Sequence, residues 1–353
     1  MSPAPMISVA MPVYNAGDYL PEAISSILEQ TCADFEFIIA VDESSADCSA
    51  RIVRDFAARD SRVKPIFMPR CSQAKALNTA MKAARGGWIA FMEADDVALP
   101  GRLAIQLDFI RKTGADICGG LGKRFGRDSR VLWFPEKHEA IRFEMLFRCA
   151  FLMSTAFMRA EIARANPFDE NAVFLDYEMW TRLIHTRRMA NLQQVLLKRR
   201  IHPRQTTAVK TGRINDELRR FRREYFFRLF PRATSGDYAA LERVAERKAF
   251  PDTAELALAG EWMAKLARVD DFFLRLRMAE RWYYACSLSA RLGRECFRVY
   301  RRFSPLFGLA EEPKTFYLPL ACALRFSPDS ALYASGRKFK SLLRSAIRPS
   351  GRT

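Results

Sequence analysis

Short apolar runs, each followed by about ten to fifteen residues whose apolar positions recur every three or four, set the rhythm of the first third of the chain. Ile7–Met11 reads as a strand that stops at Pro12, since a proline has no N–H for a central ladder. Past Pro12 a helix starts near Gly17, with Leu20, Ile24, Ile27 and Leu28 on one face. Asp34–Val41 is a second strand and runs into Asp42-Glu43-Ser44-Ser45. Ala46–Asp60 reads as a helix, Val63–Phe67 as a strand, and Ser72–Arg85 as a helix closed by Gly86-Gly87. Trp88–Met92 is then a strand that ends abruptly in Glu93-Ala94-Asp95-Asp96, before an amphipathic helix. Strands alternating with helices imply an α/β domain: a Rossmann-like, mainly parallel sheet with helices on both faces.

Two of these strands end in acids. Each acidic turn alone is also what a helix N-cap looks like, because Asp and Ser are favoured there. Successive parallel strands, however, bring their C-terminal ends to one edge of the sheet, where ligands of open α/β folds bind. Hard oxygen ligands at that edge suit Mg²⁺ or Mn²⁺. Neither Gly-x-Gly-x-x-Gly nor Gly-x-x-x-x-Gly-Lys-Ser/Thr occurs, so a metal rather than a glycine cradle would have to hold phosphates.

Composition sharpens the picture in the second half. The 353 residues are 49% hydrophobic, enough for a sizeable core, and carry a net charge of +17. Residues 211–353 hold 28 Lys/Arg against 16 Asp/Glu, a net +12, which leaves +5 for residues 1–210. We therefore read a catalytic domain over 1–210 and a basic, helical C-terminal region over 211–353. Leu241–Lys248, Thr253–Val269, Phe272–Arg291 and Glu295–Arg302 are its predicted helices, punctuated by Pro251, Pro305, Pro313 and Pro328. From Gly336 the tail has six Lys/Arg and no acid around Phe339, Leu342, Leu343 and Ile347, a pattern that suits a helix on an anionic membrane surface. A helix packed on its own domain, or a solvated basic end, fits the same tail. Nucleic acid ranks lower, because the sheet edge is acidic where a phosphate-reading groove would be basic. Eight cysteines without a Cys-x-x-Cys pair, no secretory start and no long uninterrupted apolar run read as a reduced, cytoplasmic protein that does not span a membrane, with peripheral contact left to the tail.

The stretches Met11-Pro-Val-Tyr-Asn15, Gln30-Thr31, Asp34–Asp42, Asp60-Ser-Arg-Val63, Ala76-Leu-Asn78, Glu93-Ala-Asp-Asp96 with Leu99-Pro-Gly-Arg-Leu103, Phe168-Asp-Glu170, Asp176–Trp180 and Arg200-Ile-His-Pro-Arg-Gln205 follow one another in an order that resembles family 2 glycosyltransferases. The resemblance covers roughly residues 5–207 and implies a GT-A fold and inverting transfer from a nucleotide-diphosphate sugar, a UDP-sugar being favoured. The acceptor would be a hydroxyl of a glycan or a lipid-linked acceptor, in bacterial surface polysaccharide synthesis.

By that resemblance, Pro12, Tyr14, Asn15 and Asp42 surround base and ribose, with Glu43 beside them. A carboxylate at a fixed strand end can accept hydrogen bonds from a base N–H or a ribose hydroxyl. Glu93, Ala94 and Asp95 correspond to the metal motif, Glu93 standing where Asp is usual, so Asp95 is the firmer ligand. His202 would complete the metal shell, imidazole being a reasonable Mn²⁺ ligand. Lys75, Asn78 and Arg200 fall to the nucleotide-sugar side, Lys75 and Arg200 as cations for the diphosphate. Asp176 aligns with the general base, preceded by Leu175 where Glu is usual. That neighbour would desolvate the carboxyl and raise its pKa. The departures at Glu93, Glu43 and Leu175 leave a second reading, a catalytically silent relative that binds nucleotide sugar or organises partners. Asp95, Asp176 and His202 standing together argue for the enzyme.

Overall fold

The computed structural model describes residues 4–126, 128–307 and 317–325, and divides them into two compact units, 1–225 and 226–353. In the first unit the chain runs β1 (Ile7–Val13), α1 (Leu20–Leu28), β2 (Phe35–Asp42), α2 (Ser49–Arg59), β3 (Val63–Met68), α3 (Gln73–Ala83), β4 (Trp88–Phe91), β5 (Val97–Ala98) and α4 (Arg102–Thr113). It continues with β6 (Ile117–Phe125), β7 (Val131–Leu132), α5 (His138–Glu144), β8 (Phe157–Arg159), α6 (Ala160–Ala165), α7 (Leu175–Leu183), β9 (Met189–Arg200), α8 (Thr206–Val209) and α9 (Thr211–Leu229).

Among the described residues the strands form one sheet in the order β3-β2-β1-β4-β8-β6-β9-β5, with β7 on β6. The long pairings are parallel, β1 with β2 and β4, β2 with β3, and β6 with β9. The antiparallel pairings, through β5, β7 and β8, span two or three residues each. β1 and β2 are buried at every position, as expected of central strands covered on both faces.

The expectation that β1 stops at Pro12 is corrected: the strand runs through Pro12, paired with Ala40, to Val13. Pro12 faces the same side as Ala10, whose carbonyl accepts from the Met92 N–H, and β4 has ended at Phe91. The missing N–H therefore meets no ladder. α1 begins at Leu20, later than Gly17, with Pro21 in its first turn where no N–H is needed. The Gly86-Gly87 helix stop has a second cause: a Cβ on Gly86 would lie 2.7 Å from the Ser8 backbone nitrogen. Gly86 N–H donates to Ser8 Oγ, and Ser8 Oγ donates to the buried Glu36, so only a glycine lets the chain pass β1 there.

The second unit has α10 (Ser235–Glu246), α11 (Thr253–Leu266), α12 (Phe272–Leu288), α13 (Arg294–Phe303) and α14 (Tyr317–Ala323), near the helices read from sequence. Its core gathers Phe226, Phe230, Tyr238 and Trp262, and the Trp262 indole N–H donates to Asp237 in the Thr234 capping box. The dividing point after Tyr225 lies inside α9, downstream of residue 210. The basic tail from Gly336 lies outside the described residues. Among those described, no helix is long and apolar enough to cross a membrane.

Candidate functional site

The C-terminal ends of β1, β2 and β4 open into a cleft of about 440 Å³. Pro12, Tyr14, Asn15, Asp42, Glu93, Ala94, Asp95 and His202 line it, together with Arg70, Gln73 and Glu170. Asn15 holds a left-handed conformation, φ 47°, secured by its Oδ1 accepting from the Ala46 N–H at 2.9 Å.

Asp42 ends β2 and is 3% exposed. Its Oδ1 accepts from the N–H and hydroxyl of Ser44, at 2.8 and 2.6 Å, and its Oδ2 from the Cys71 N–H at 3.1 Å. Burial pushes this carboxyl up, but those donors, with the charge of Arg70, hold it net below its ordinary value. It stays ionised, with lone pairs already directed.

The acids after β4 form a second group. Glu93 accepts from the Gln73 amide through both oxygens, at 3.0 and 2.9 Å. Asp95 Oδ2 lies 2.9 Å from His202 Nε2, and the His202 ring packs on Tyr19. Asp96 is buried and accepts from Ser154 Oγ at 2.5 Å and from the Arg200 N–H at 3.0 Å. Asp176 sits in the first turn of α7, where one oxygen accepts from the Tyr177 N–H and the other lies 3.9 Å from the Cys149 thiol. α7 starts at Leu175 with Phe174 in the cap position, so Asp176 lies inside its first turn and is not the cap.

Burial raises Glu93, Asp96 and Asp176. Glu93 is driven well above the carboxylate range by burial and then by the charges of Asp95, Asp96 and Asp176. Burial and Asp95 push Asp96 to about 7 against Ser154, Arg199 and the Arg200 N–H. Burial lifts Asp176 to about 6, opposed by the Tyr177 N–H and the charge of Arg199. One cation, Arg199 near the end of β9, acts on all three.

The ends that carry these acids are braced from behind. Arg102 is fully buried and donates to the Phe91 carbonyl at 2.8 Å and to Gln106 at 3.0 Å. Gln30 bridges the Leu99 carbonyl and the Leu103 N–H.

Five sequence candidates lie off the cleft lining, and one of them is Asp176, whose neighbour Leu175 is in the wall. Glu43 faces away from Asp42 and pairs with Arg54 at 3.4 Å on the exposed side, because neighbouring strand residues point to opposite faces. Lys75 is exposed two residues past Gln73, about 200° around the helix. Asn78 spends its amide on the backbone of Phe168, donating at 3.0 Å and accepting at 2.8 Å. The Arg200 guanidinium is committed to the Asp95 carbonyl and Glu22 and stacks on Tyr19 and Phe125. Gln73, Ser44, Ser154 and Arg199 were not singled out from sequence. Ser72 as N-cap was the one available signal, since it sets Gln73 at the first turn of α3, pointing at the strand ends.

The mainly parallel sheet flanked by helices is a GT-A fold. The model of glycosyl transferase family 2 matches residues 8–169. The O-antigen biosynthesis glycosyltransferase WbnJ of Escherichia coli is 30% identical over 208 residues, covering 57% of this chain and 82% of that protein. The Escherichia coli UDP-Glc:alpha-D-GlcNAc-diphosphoundecaprenol beta-1,3-glucosyltransferase WfgD is 29% identical over 181 residues, 51% of this chain and 70% of that one. The fold is shared with S. aureus TarS 1-349 in complex with UDP, with TM-score 0.51 at 15% identity over 87% of this chain and 93% of that one. The chain belongs to glycosyl transferase family 2.

Proposed function

We propose that this glycosyltransferase inverts the anomeric centre as it moves a sugar from a nucleotide-diphosphate donor, a UDP-sugar by preference, to a hydroxyl of a glycan or lipid-linked acceptor in bacterial surface polysaccharide synthesis. The observation that carries the reading is the delivery of Asp42, Glu93 and Asp95 to one cleft by β2 and β4, with Leu175, the neighbour of Asp176, in its wall. The names of WbnJ and WfgD support the pathway and the UDP-linked donor.

Asp42 binds the base or ribose. Donors on both its oxygens keep it charged and oriented, so it accepts a further N–H or O–H without first losing a proton. Asp176 is the base. It takes the acceptor proton as that oxygen bonds to the anomeric carbon from the face opposite the nucleotide, and the electron pair of the breaking sugar–phosphate bond leaves with the diphosphate. A pKa of about 6 leaves it ionised at neutral pH, yet far closer to the operating pH than an ordinary aspartate, which favours proton acceptance.

The residues present suit a divalent cation. Asp95 and His202 oppose each other in the cleft, and His202 Nδ1 is buried without a partner. Among the described residues no group of three or more His, Cys, Asp or Glu side chains is gathered to hold a metal ion by itself. Asp95 and His202, with Glu93 behind them, would hold Mn²⁺ or Mg²⁺, and the ion would neutralise the charge growing on the leaving diphosphate.

A donor screen tests the reading. UDP-glucose, UDP-galactose, UDP-N-acetylglucosamine and GDP-mannose are each added with and without Mn²⁺, reading thermal shift and release of nucleotide. One UDP-sugar should raise Tm by mass action only with metal and be turned over. Nucleotide binding without turnover of any donor would instead mark a silent sugar-nucleotide-binding relative.

A further inference from the structure

Glu217 lies on α9, well past the segment that the family model matches, and no motif points to it. Its side chain is 13% exposed. One oxygen, Oε2, accepts hydrogen bonds from the backbone N–H groups of Val173 and Phe174, both at 2.8 Å. These two amides lead directly into α7. The cap residue there, Phe174, supplies no side-chain acceptor. A helix start leaves N–H groups unpaired and carries partial positive charge, so a carboxylate is the complement that position lacks locally. α9 provides it from a distance of more than forty residues in sequence.

The other end of the same segment is tied as well, by the double hydrogen bond of Asn78 with the Phe168 backbone. Residues 169–174 are therefore strung between two fixed points. Glu170, Asn171, Ala172 and Val173 from this stretch and Leu175 just after it line the cleft, and Asp176, the next residue, lies behind that lining. The second oxygen of Glu217 approaches Arg213 at 3.9 Å, and Arg213 also lines the cleft.

Resting on the transferase reading, we propose that Glu217 is a positioning residue for sugar transfer: by tying Val173 and Phe174 it fixes the start of α7, where Leu175 ends the cleft wall and Asp176 follows, and so sets the Asp176 carboxylate against the acceptor hydroxyl. The nucleoside is held at the end of β2, on elements that Glu217 does not touch. Loss of Glu217 should therefore strike turnover and spare nucleotide binding. A misplacement on the order of 1 Å is enough to cost about 100-fold in rate.

Two variants of the full chain separate positioning from general stability. Glu217→Ala removes both acceptor oxygens, whereas Glu217→Gln keeps an amide oxygen able to take both N–H groups. Three quantities are measured: hydrogen–deuterium exchange of peptides covering 171–178, UDP affinity with Mn²⁺, and kcat with the donor that the screen returns. Glu217→Ala should raise exchange in 171–178, keep the UDP Kd within about threefold, and lower kcat by about 100-fold. Glu217→Gln should recover kcat to within about tenfold of wild type, the loss expected from the missing charge.

A Glu217→Ala enzyme with raised exchange but kcat within about threefold of wild type overturns the proposal. So does a parallel loss of UDP affinity and kcat, which marks general damage, and so does an equal loss in Glu217→Gln, which would exclude the hydrogen bonds as the cause. A wild type inert toward every donor defeats the transferase reading and the positioning role together. An active wild type with an unimpaired Glu217→Ala defeats the positioning role alone.

Discussion

The acids at the ends of β2 and β4 are the same residue types at the same edge of one sheet, yet their electrostatics are opposite. Asp42 and Asp96 expose equally little surface, but three donors converge on Asp42 and hold its pKa down. Glu93, Asp96 and Asp176 have one or two donors each, lie near other carboxylates or deep in the fold, and are all raised. Burial penalises the charge in both places; at Asp42 three donors outweigh it, whereas in the cluster deeper desolvation, joined at Glu93 and Asp96 by neighbouring carboxylates, outweighs the donors. The lesson is functional. The saturated carboxylate is a finished acceptor for a neutral ligand group, whereas the under-compensated cluster has a deficit that a cation relieves and that keeps a base near neutrality.

That contrast can be broken at either end. Asp95→Ala removes a hard ligand from the cluster, and the Mn²⁺-dependent part of UDP binding should weaken by about 100-fold in calorimetry; unchanged affinity removes Asp95 from the metal shell. Asp42→Asn should weaken UDP about tenfold with or without Mn²⁺, because a charged acceptor is lost while the cation site is untouched. Ser44→Ala strips one donor from Asp42, and the expected loss in UDP binding is smaller, about 1 kcal/mol.

The sign of the pH dependence follows from the cluster. Asp96 titrates at about 7 in the folded chain, against about 3.9 unfolded, so its contribution to stability is full below about pH 4 and is lost as pH rises through 7. Asp176, at about 6, acts the same way one step earlier. The ligand-free protein should melt lower at pH 8 than at pH 6.5, a window above the acids held low and above His138, whose pKa burial depresses. A Tm that climbs over this window contradicts the raised values. The smallest effect is expected from Glu43→Gln: its exposed pair with Arg54 is worth roughly 0.5 kcal/mol at most, and UDP affinity should not move.

Much of the first half was legible because its strands are long, apolar and parallel, with helices of regular period between them. β2, β3 and α3 fall within two residues of their predicted ends, and both acidic strand ends meet in one cleft as expected. The stretch from β6 to β9 was not, since β7 and β8 are two and three residues long and gain their pairing from partners far away in sequence. Site residues divided on the same ground. Asp42 and Asp95 could be read from position at a strand end, but sequence does not say that Asn78 and Arg200 are occupied by backbone and by Glu22. Nor does it show Glu217, whose partners lie on another element.

The account stands on Asp176 as the base that takes the acceptor proton. Transfer from the donor that wild type turns over, measured beside UDP affinity in Asp176→Asn, tests this most directly. Turnover should fall by about 10²–10⁴-fold while UDP affinity stays at the wild-type value. Transfer persisting within about tenfold of wild type, at undiminished affinity, would place the base elsewhere.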